Sequence, residues 1–139
     1  MTNGPSRVVL ITGASTGIGA ACALHMDKLG WRVFAGVRRE ADGEALRQGA
    51  SGKLTPVRID VTDEASIREA AASIAAATGD AGLHGLVNNA GVSVAGPLEF
   101  LPIAERRRQL EVNVIGQMAV TQAFLPQIRK ARGRIVNMG

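Results

Sequence analysis

The sequence predicts an α/β protein built around one doubly wound parallel sheet. Strand-like and helix-like segments alternate along the 139 residues, which is typical of crossover units that join parallel strands. The strand segments are continuous apolar runs, as expected for strands that helices cover on both faces. Because the connections are short and no linker or internal repeat interrupts them, residues 1–139 are interpreted as a single domain.

Five strands and four helices account for most of the chain. The first strand is a β-branched run closed by Gly13, and Gly30 is placed to end the first helix. Thr62 is a candidate N-cap of the third helix. The predicted strands are residues 8–12, 31–37, 55–61, 83–87 and 134–137, and the predicted helices are residues 17–29, 41–48, 64–78 and 104–130.

Composition and charge exclude several classes of protein. The chain is 46% hydrophobic and 20% charged, which is ordinary globular composition. Its one cysteine, Cys22, excludes an internal disulfide framework and a multi-cysteine zinc site, and no metal site is predicted. The net charge is +4, but only residues 106–108 form a tight basic run, which is interpreted as a solvated helix face. With 3% aromatic residues to stack bases, no nucleic-acid partner is predicted.

A membrane segment is not predicted either. Residues 8–26 contain no Asp, Glu, Lys or Arg, yet glycines and hydroxyl residues interrupt their apolar part, which is too short to cross a bilayer. Residues 1–6 lack the basic start and apolar core of a signal peptide. The sequence therefore predicts a cytoplasmic protein without membrane contact.

The turn after the first strand is rich in glycine. Residues 12–19 read Thr-Gly-Ala-Ser-Thr-Gly-Ile-Gly, between a predicted strand and a predicted helix. Glycines in this context let a diphosphate approach the backbone, where free N–H groups and the helix dipole stabilise its charge. This is typical of a Rossmann-like sheet. The spacing differs from the commonest dinucleotide fingerprint, so a glycine turn without a ligand is the alternative at this point.

The end of the second strand bears on the choice of cofactor. An acidic residue there would bind a ribose 2′-hydroxyl and favour NAD, but Val37 stands at this place and Arg38 and Arg39 follow. A guanidinium can bind a 2′-phosphate through paired, charge-assisted hydrogen bonds. The pattern favours NADP, with NAD less favoured. The alternative is that Arg38 and Arg39 belong to a solvated loop, and Glu40 nearby could also neutralise one of them.

Two later motifs complete a resemblance to a known family. Asp60-Val61 closes the third strand, and the run Asn-Asn-Ala-Gly at residues 88–91 follows the fourth. With the glycine turn, and in this order and spacing, they make residues 7–139 resemble the short-chain dehydrogenase/reductase family. The second strand, residues 33–38, looks most similar to the steroid and retinol dehydrogenase branch.

The resemblance implies a role for each motif residue. The diphosphate turn would be formed by Gly13, Gly17, Ile18 and Gly19, and the residues near the 2′-phosphate would be Ser15, Thr16, Arg38 and Arg39. The adenine would be contacted by Asp60 and Val61. The segment that passes beneath the cofactor and braces the central strand would be Asn88, Asn89, Ala90 and Gly91. Asn113, in the long helix, would break the regular backbone pattern and position a water in the proton relay to the catalytic lysine. An Asn113 bonded to the next segment without catalytic duty is the alternative.

The remaining catalytic groups of the family are not found in the sequence. The family uses Ser, Tyr and Lys besides the Asn, but the chain has no Tyr, and Lys28, Lys53 and Lys130 do not fit the pattern. The expected strand order 3-2-1-4-5 places the apolar fifth strand at an uncovered edge. We therefore expect the domain to be incomplete, truncated after strand five.

The expected function is that of an NADP(H)-dependent oxidoreductase. It would interconvert a small-molecule alcohol and a carbonyl by hydride transfer, and the 139 residues alone would be inactive. The resemblance implies a homodimer or homotetramer when full-length, paired through the long helix. A non-catalytic nucleotide-binding or sensing module is the main alternative. A methyltransferase is disfavoured, because it would call for an acid where Val37 lies.

Overall fold

The predicted parallel sheet is present and forms the centre of the molecule. A computed structural model describes residues 4–139. Residues 1–3, the first part of the segment in which no signal peptide is predicted, lie outside the described residues. All strand pairs are parallel and the order is β3-β2-β1-β4-β5, as predicted. The strands are β1 (Val8–Ile11), β2 (Arg32–Val37), β3 (Leu54–Arg58), β4 (Gly85–Asn88) and β5 (Arg134–Asn137).

Helices pack on both faces of the sheet. Leu10 and Leu86 point to one face, where they meet Phe124 in a buried core. Val9 and Ile11 point to the other face, which forms a second buried core. This two-sided burial explains the continuous apolar strands. The helices are α1 (Gly17–Lys28), α2 (Glu40–Gln48), α3 (Glu64–Thr78), α4 (Ile103–Leu110) and α5 (Gln117–Ala131), and a π-helical segment (Glu111–Gly116) joins the last two.

The long helix differs from its prediction. Residues 104–130 are predicted as one continuous helix, whereas α4 and α5 are separated by the π-helical segment. Asn113 lies in this segment, and its side chain bonds to the backbone of Val92. A wider turn of this kind lets a helix carry an extra residue toward a neighbouring segment. The sequence of the helix alone does not reveal that tertiary contact.

The third strand and the following helix also begin and end differently. β3 ends at Arg58 instead of residue 61, because the Asp60 N–H leaves the sheet and donates to Ser66 Oγ at 2.9 Å. The predicted N-cap, Thr62, is wrong. Asp63 caps α3 instead, since its carboxylate accepts from the N–H groups of Ala65 and Ser66.

Candidate functional site

A cleft of about 540 Å³ opens at the carboxyl edge of the sheet. Ligands of doubly wound sheets bind at this edge, where neighbouring connections run to opposite faces. Nine of the predicted site residues line the cleft: Gly13, Ser15, Thr16, Arg38, Asp60, Val61, Asn89, Ala90 and Gly91. The loops after β1, β2, β3 and β4 thus bring together motifs that are far apart in the sequence.

The glycine turn packs directly against the loop after β4. Gly13 has a φ of +63°, and a Cβ on it would lie 2.8 Å from the Cα of Ala90. A Cβ on Gly19 would collide with the carbonyl oxygen of Gly13 and with Nδ2 of Asn89. Only glycine fits these two positions, so the turn can lie flat beneath a ligand. Gly17, Ile18 and Gly19 do not line the cleft themselves, and Ile18 is 67% exposed.

The amino end of α1 carries no compensating negative charge. The first turn of this helix contains no acidic residue, and the Thr16 hydroxyl makes no capping hydrogen bond. The basic residues His25 and Lys28 lie in the last turn. Because the unpaired N–H groups and the dipole make a helix amino end positive, this end can stabilise an anion in the cleft.

Thr12 joins the two central loops, although its motif predicted no separate role for it. Its hydroxyl oxygen accepts from the backbone N–H groups of Asn89 and Ala90, each at 3.0 Å. Asn89 Nδ2 in turn donates to the carbonyl oxygens of Thr12 and Gly13 at 3.2 and 3.1 Å. Thr12 is only 2% exposed. Its position at the end of a buried strand could have predicted this role, because a buried hydroxyl needs hydrogen-bond partners.

Asn88 points away from the cleft. Its Nδ2 donates to Thr121 Oγ1 at 3.1 Å and to Asn137 Oδ1 at 3.0 Å. The side chain is buried and connects β4 with α5 and β5. Asn89, not Asn88, therefore bonds to the glycine turn at the end of the central strand.

The two arginines after β2 have different surroundings. Arg38 lines the cleft, beside Ser15 and Thr16 of the glycine turn. Arg39 does not line it, and its guanidinium pairs with both carboxylate oxygens of Asp42 at 2.9 and 3.2 Å. Both arginines are exposed, as the solvated-loop alternative describes, and the partner of Arg39 is Asp42 instead of Glu40. Within residues 4–139, no ion pair between Asp42 and Arg38 is found.

Asp60 is held in the cleft by its neighbours. Its Oδ1 accepts from the Thr62 hydroxyl at 2.7 Å and from the Thr62 N–H at 2.9 Å. These two hydrogen bonds lower the pKa of Asp60 below its ordinary value, and the charges of Arg38 and Arg58 lower it further. The carboxylate is therefore ionised at neutral pH and can accept a hydrogen bond from a ligand.

Several lining residues were not predicted from the sequence. Gly36 leaves room beside the glycine turn, since a Cβ there would lie 3.1 Å from the carbonyl oxygen of Ile11. Arg108 lines the cleft as well, while it and Arg107 stay exposed on α4, in keeping with the predicted solvated helix face. The remaining unpredicted lining residues are Val37, Ile59, Thr62, Val92, Glu111 and Val112. Contacts made by α4 depend on tertiary packing, so the sequence carries no local signal for them.

Asn113 lies behind the loop after β4 and does not line the cleft. Its Oδ1 accepts from the Val92 N–H at 2.9 Å, and its Nδ2 donates to the Val92 carbonyl at 2.8 Å. The amide thus satisfies both backbone groups of a residue that does line the cleft. This contact fixes the path of the chain immediately after Gly91.

Fold and cleft together define a Rossmann-like α/β protein, with its site at the carboxyl edge of a parallel sheet. The family model described as short chain dehydrogenase matches residues 7–139. The chain therefore belongs to the short-chain dehydrogenase family, which confirms the resemblance of its motifs. Its members are oxidoreductases, and the relatives found include steroid and retinol dehydrogenases, the branch that the second strand suggested.

The relatives and solved structures agree with this assignment. The chain is 43% identical to estradiol 17-beta-dehydrogenase 2 of Rattus norvegicus over 95% of its own length and 35% of that protein. It is 40% identical to retinol dehydrogenase 5 of Mus musculus, over 94% of the chain and 41% of the relative. The chain thus spans about two fifths of the length of these curated relatives.

Two crystal structures share the fold. A short-chain dehydrogenase from Streptomyces avermitilis superposes with a TM-score of 0.86 at 34% identity, covering 95% of this chain and 48% of that one. An NADPH-bound carbonyl reductase from chicken fatty liver gives a TM-score of 0.83 at 34% identity, covering 91% of this chain and 53% of that one.

None of the helices within residues 4–139 combines the length and hydropathy that a bilayer-crossing segment requires.

Proposed function

We propose that this chain is the cofactor-binding part of an NADP(H)-dependent oxidoreductase that interconverts a small-molecule alcohol and a carbonyl. One observation carries the choice of cofactor: Arg38 lines the cleft at the end of β2, where Val37 replaces the acid that would bind a ribose 2′-hydroxyl. The NADPH-bound carbonyl reductase among the structural neighbours is consistent with this choice.

The residues around the cleft fit a phosphorylated dinucleotide. The side-chain-free surface of Gly13 and the positive end of α1 would accommodate the diphosphate. Arg38 would pair with the 2′-phosphate, and the ionised Asp60 would accept from the adenine amino group. NADP(H), when bound, supplies or accepts the hydride.

Asn113 would act through the backbone around it. Its side chain is committed to both polar groups of Val92, so the group left to hold a water is a backbone carbonyl of the π-helical segment. A π-helical turn departs from the regular i→i+4 hydrogen-bond pattern, and such turns are frequent at functional sites. In this proposal Asn113 fixes the loop after Gly91 and holds open the place of the relay water.

The proton-transferring groups of the family lie outside these residues in this proposal. The 139 residues contain no Tyr, so a tyrosine acid or base would come from another part of the polypeptide. The 139 residues alone would bind the cofactor without turning over a substrate. A non-catalytic nucleotide-binding module is the second candidate, favoured by the same absence of Tyr.

The surface of α4, the π-helical segment and α5 is the proposed pairing surface between copies of the full-length protein. Leu110, Val114, Ile115 and Met118 are 46–58% exposed, and together they form an apolar strip over α4, the π-helical segment and α5. Burying such a strip is favourable, so a homodimer or homotetramer is proposed. A cytoplasmic location is also proposed, and a single cysteine, Cys22, fits a protein that does not depend on disulfides.

A titration with NADPH tests the proposed function. Binding is measured by the fluorescence of the nucleotide, and we expect the wild-type chain to bind NADPH saturably. Gly19→Ala should lose this binding, because its Cβ would displace the turn. Gly52→Ala is the matched control, because a Cβ at Gly52 meets nothing within 4 Å. A folded wild-type chain that binds no NADPH would contradict the proposal. Alcohol oxidation with NADP⁺ by a natural polypeptide that contains these residues separates the enzyme from the non-catalytic module.

A further inference from the structure

Thr62 carries a hydroxyl group that α3 does not use. The helix is capped by Asp63, whose carboxylate accepts from two backbone N–H groups. The Thr62 hydroxyl instead donates to Asp60 Oδ1 at 2.7 Å. Thr62 itself is exposed and lines the cleft, so this hydrogen bond lies at the surface that a ligand would meet.

The two bonds from Thr62 occupy one side of the Asp60 carboxylate. Oδ1 accepts from both the hydroxyl and the N–H of Thr62, and within residues 4–139 no hydrogen bond to Oδ2 is found. The backbone of Asp60 is fixed separately, because its N–H and carbonyl both bond to Ser66 Oγ, which is buried. The side-chain torsion of Asp60 is therefore set by Thr62, and Oδ2 is the oxygen left for a ligand.

We propose that Thr62 is a positioning residue that directs Oδ2 of Asp60 toward the exocyclic amino group of the adenine ring. This inference rests on the proposed function, since it assumes an adenine dinucleotide in the cleft. A carboxylate held in advance binds a donor without first losing rotational freedom, which makes the contact more favourable. The preference created is for a purine that carries an amino group at position 6.

A role in the local turn alone would give a different result. The Thr62 N–H also donates to Asp60 Oδ1, and this bond remains when the side chain is changed to valine. Thr62→Val therefore removes only the hydroxyl that donates to Asp60 Oδ1, while it keeps the shape of the side chain and the backbone turn. A purely structural hydroxyl would affect all nucleotides equally when it is lost, whereas a positioning hydroxyl affects only those with a 6-amino group.

The experiment compares two nucleotides and four proteins. NADPH and its hypoxanthine analogue, which has an oxygen in place of the amino group, are titrated into the wild-type chain and into Thr62→Val, Thr62→Ser and Thr55→Val. Thr55 lies in β3 and does not line the cleft, so it is the control for the change of residue type. Circular dichroism confirms that each variant is folded.

We expect Thr62→Val to bind NADPH about two- to tenfold more weakly, which corresponds to one hydrogen bond, and to bind the hypoxanthine analogue as the wild type does. Thr62→Ser should restore the preference, and Thr55→Val should not alter it. Equal weakening for both nucleotides, or none for either, would overturn the positioning role. A wild-type chain that binds both nucleotides equally would overturn it while the NADP(H) proposal stands. No NADPH binding at all would overturn both.

Discussion

Asp60 shows how single residues prepare this cleft for a ligand. Its carboxylate accepts two hydrogen bonds from Thr62 and lies in the field of Arg38 and Arg58, and each of these interactions lowers its pKa. The charge is thus stabilised before any ligand binds. The motif Asp-Val is visible in the sequence, but the partner that orients the carboxylate is not, because Thr62 has the residue type and position of a helix cap.

The lowered pKa of Asp60 predicts a pH-dependent contribution to stability. The unfolded chain binds the proton more readily at this residue, so ionised Asp60 stabilises the folded state above its ordinary carboxyl pKa of about 4. This contribution is lost as the pH falls through the lowered folded-state value. We expect the unfolding free energies of wild type and Asp60→Asn, from urea titrations, to converge as the pH falls below about 4. Parallel pH profiles would show that Asp60 is not stabilised in its ionised form.

Arg38 and Arg39 illustrate what a dipeptide cannot reveal. Both are exposed basic residues after β2, and the sequence treats them as equivalent ligands for a phosphate. The structure separates them, because Asp42 lies three residues beyond Arg39 in the first turn of α2 and pairs with it. The partner could be anticipated from the i,i+3 spacing, but the orientation of each side chain depends on how α2 packs.

At the scale of elements, β1 and β4 are joined beyond their backbone ladder. The Thr12 hydroxyl oxygen accepts from two N–H groups of the loop after β4, and the Asn89 amide bonds back to the glycine turn. Two predicted motifs, the glycine turn and the run at residues 88–91, are thereby connected by four hydrogen bonds. This connection explains how two loops nearly 80 residues apart can present a single surface to a ligand.

Removal of the Thr12 hydroxyl should loosen this connection. Thr12→Val keeps the shape of the side chain but leaves the part-buried N–H groups of Asn89 and Ala90 without this acceptor, at a cost of at most about 1–3 kcal/mol for each. We expect a clear loss of unfolding free energy in denaturant titrations. Thr12→Ser retains the oxygen and is the control, so a serine variant as unstable as the valine variant would argue against the hydroxyl link.

The elements were predicted more accurately where local patterns decide them. The strands and the first three helices follow from apolar runs and turn residues, and their predicted limits differ from the structure by at most three residues. The π-helical segment lies where the family resemblance implies a break at Asn113, but helical periodicity alone did not predict it, because Asn113 bonds to Val92 across 21 residues. Apart from Asn113 and Pro126, the residue types within 104–130 favour a regular helix, and the deviation at residues 111–116 accompanies the contact of Asn113 with Val92.

At the scale of the whole molecule, the cofactor site was predictable because it is composed of short motifs. Nine predicted site residues line the cleft, and each belongs to a loop that follows a strand. The wall formed by Arg108, Glu111 and Val112 was not predicted, since it depends on how α4 crosses the edge of the sheet. Parallel topology specifies which loops meet, whereas helix packing determines which additional side chains reach them.

The apolar strip on the long helix predicts association of the full-length protein. Met118 is 57% exposed, and Met118→Glu would place a charge where a second copy is proposed to pack. We expect light scattering to show a dimer or tetramer for the wild type and smaller species for the variant. Ser73→Glu, on the exposed side of α3, is the control and should leave the assembly unchanged. A wild type that is monomeric at all concentrations would contradict the pairing surface.

The relative affinity for NADPH and NADH in two arginine variants tests the central claim most directly. Arg38→Ala should weaken NADPH binding by about tenfold or more, as expected for hydrogen bonds between charged groups, and should leave NADH binding nearly unchanged. Arg39→Ala is the matched control, because Arg39 pairs with Asp42 outside the cleft, and it should alter neither affinity. Equal loss of both nucleotides in Arg38→Ala, or a larger effect in Arg39→Ala, would contradict the assignment of Arg38 to the 2′-phosphate.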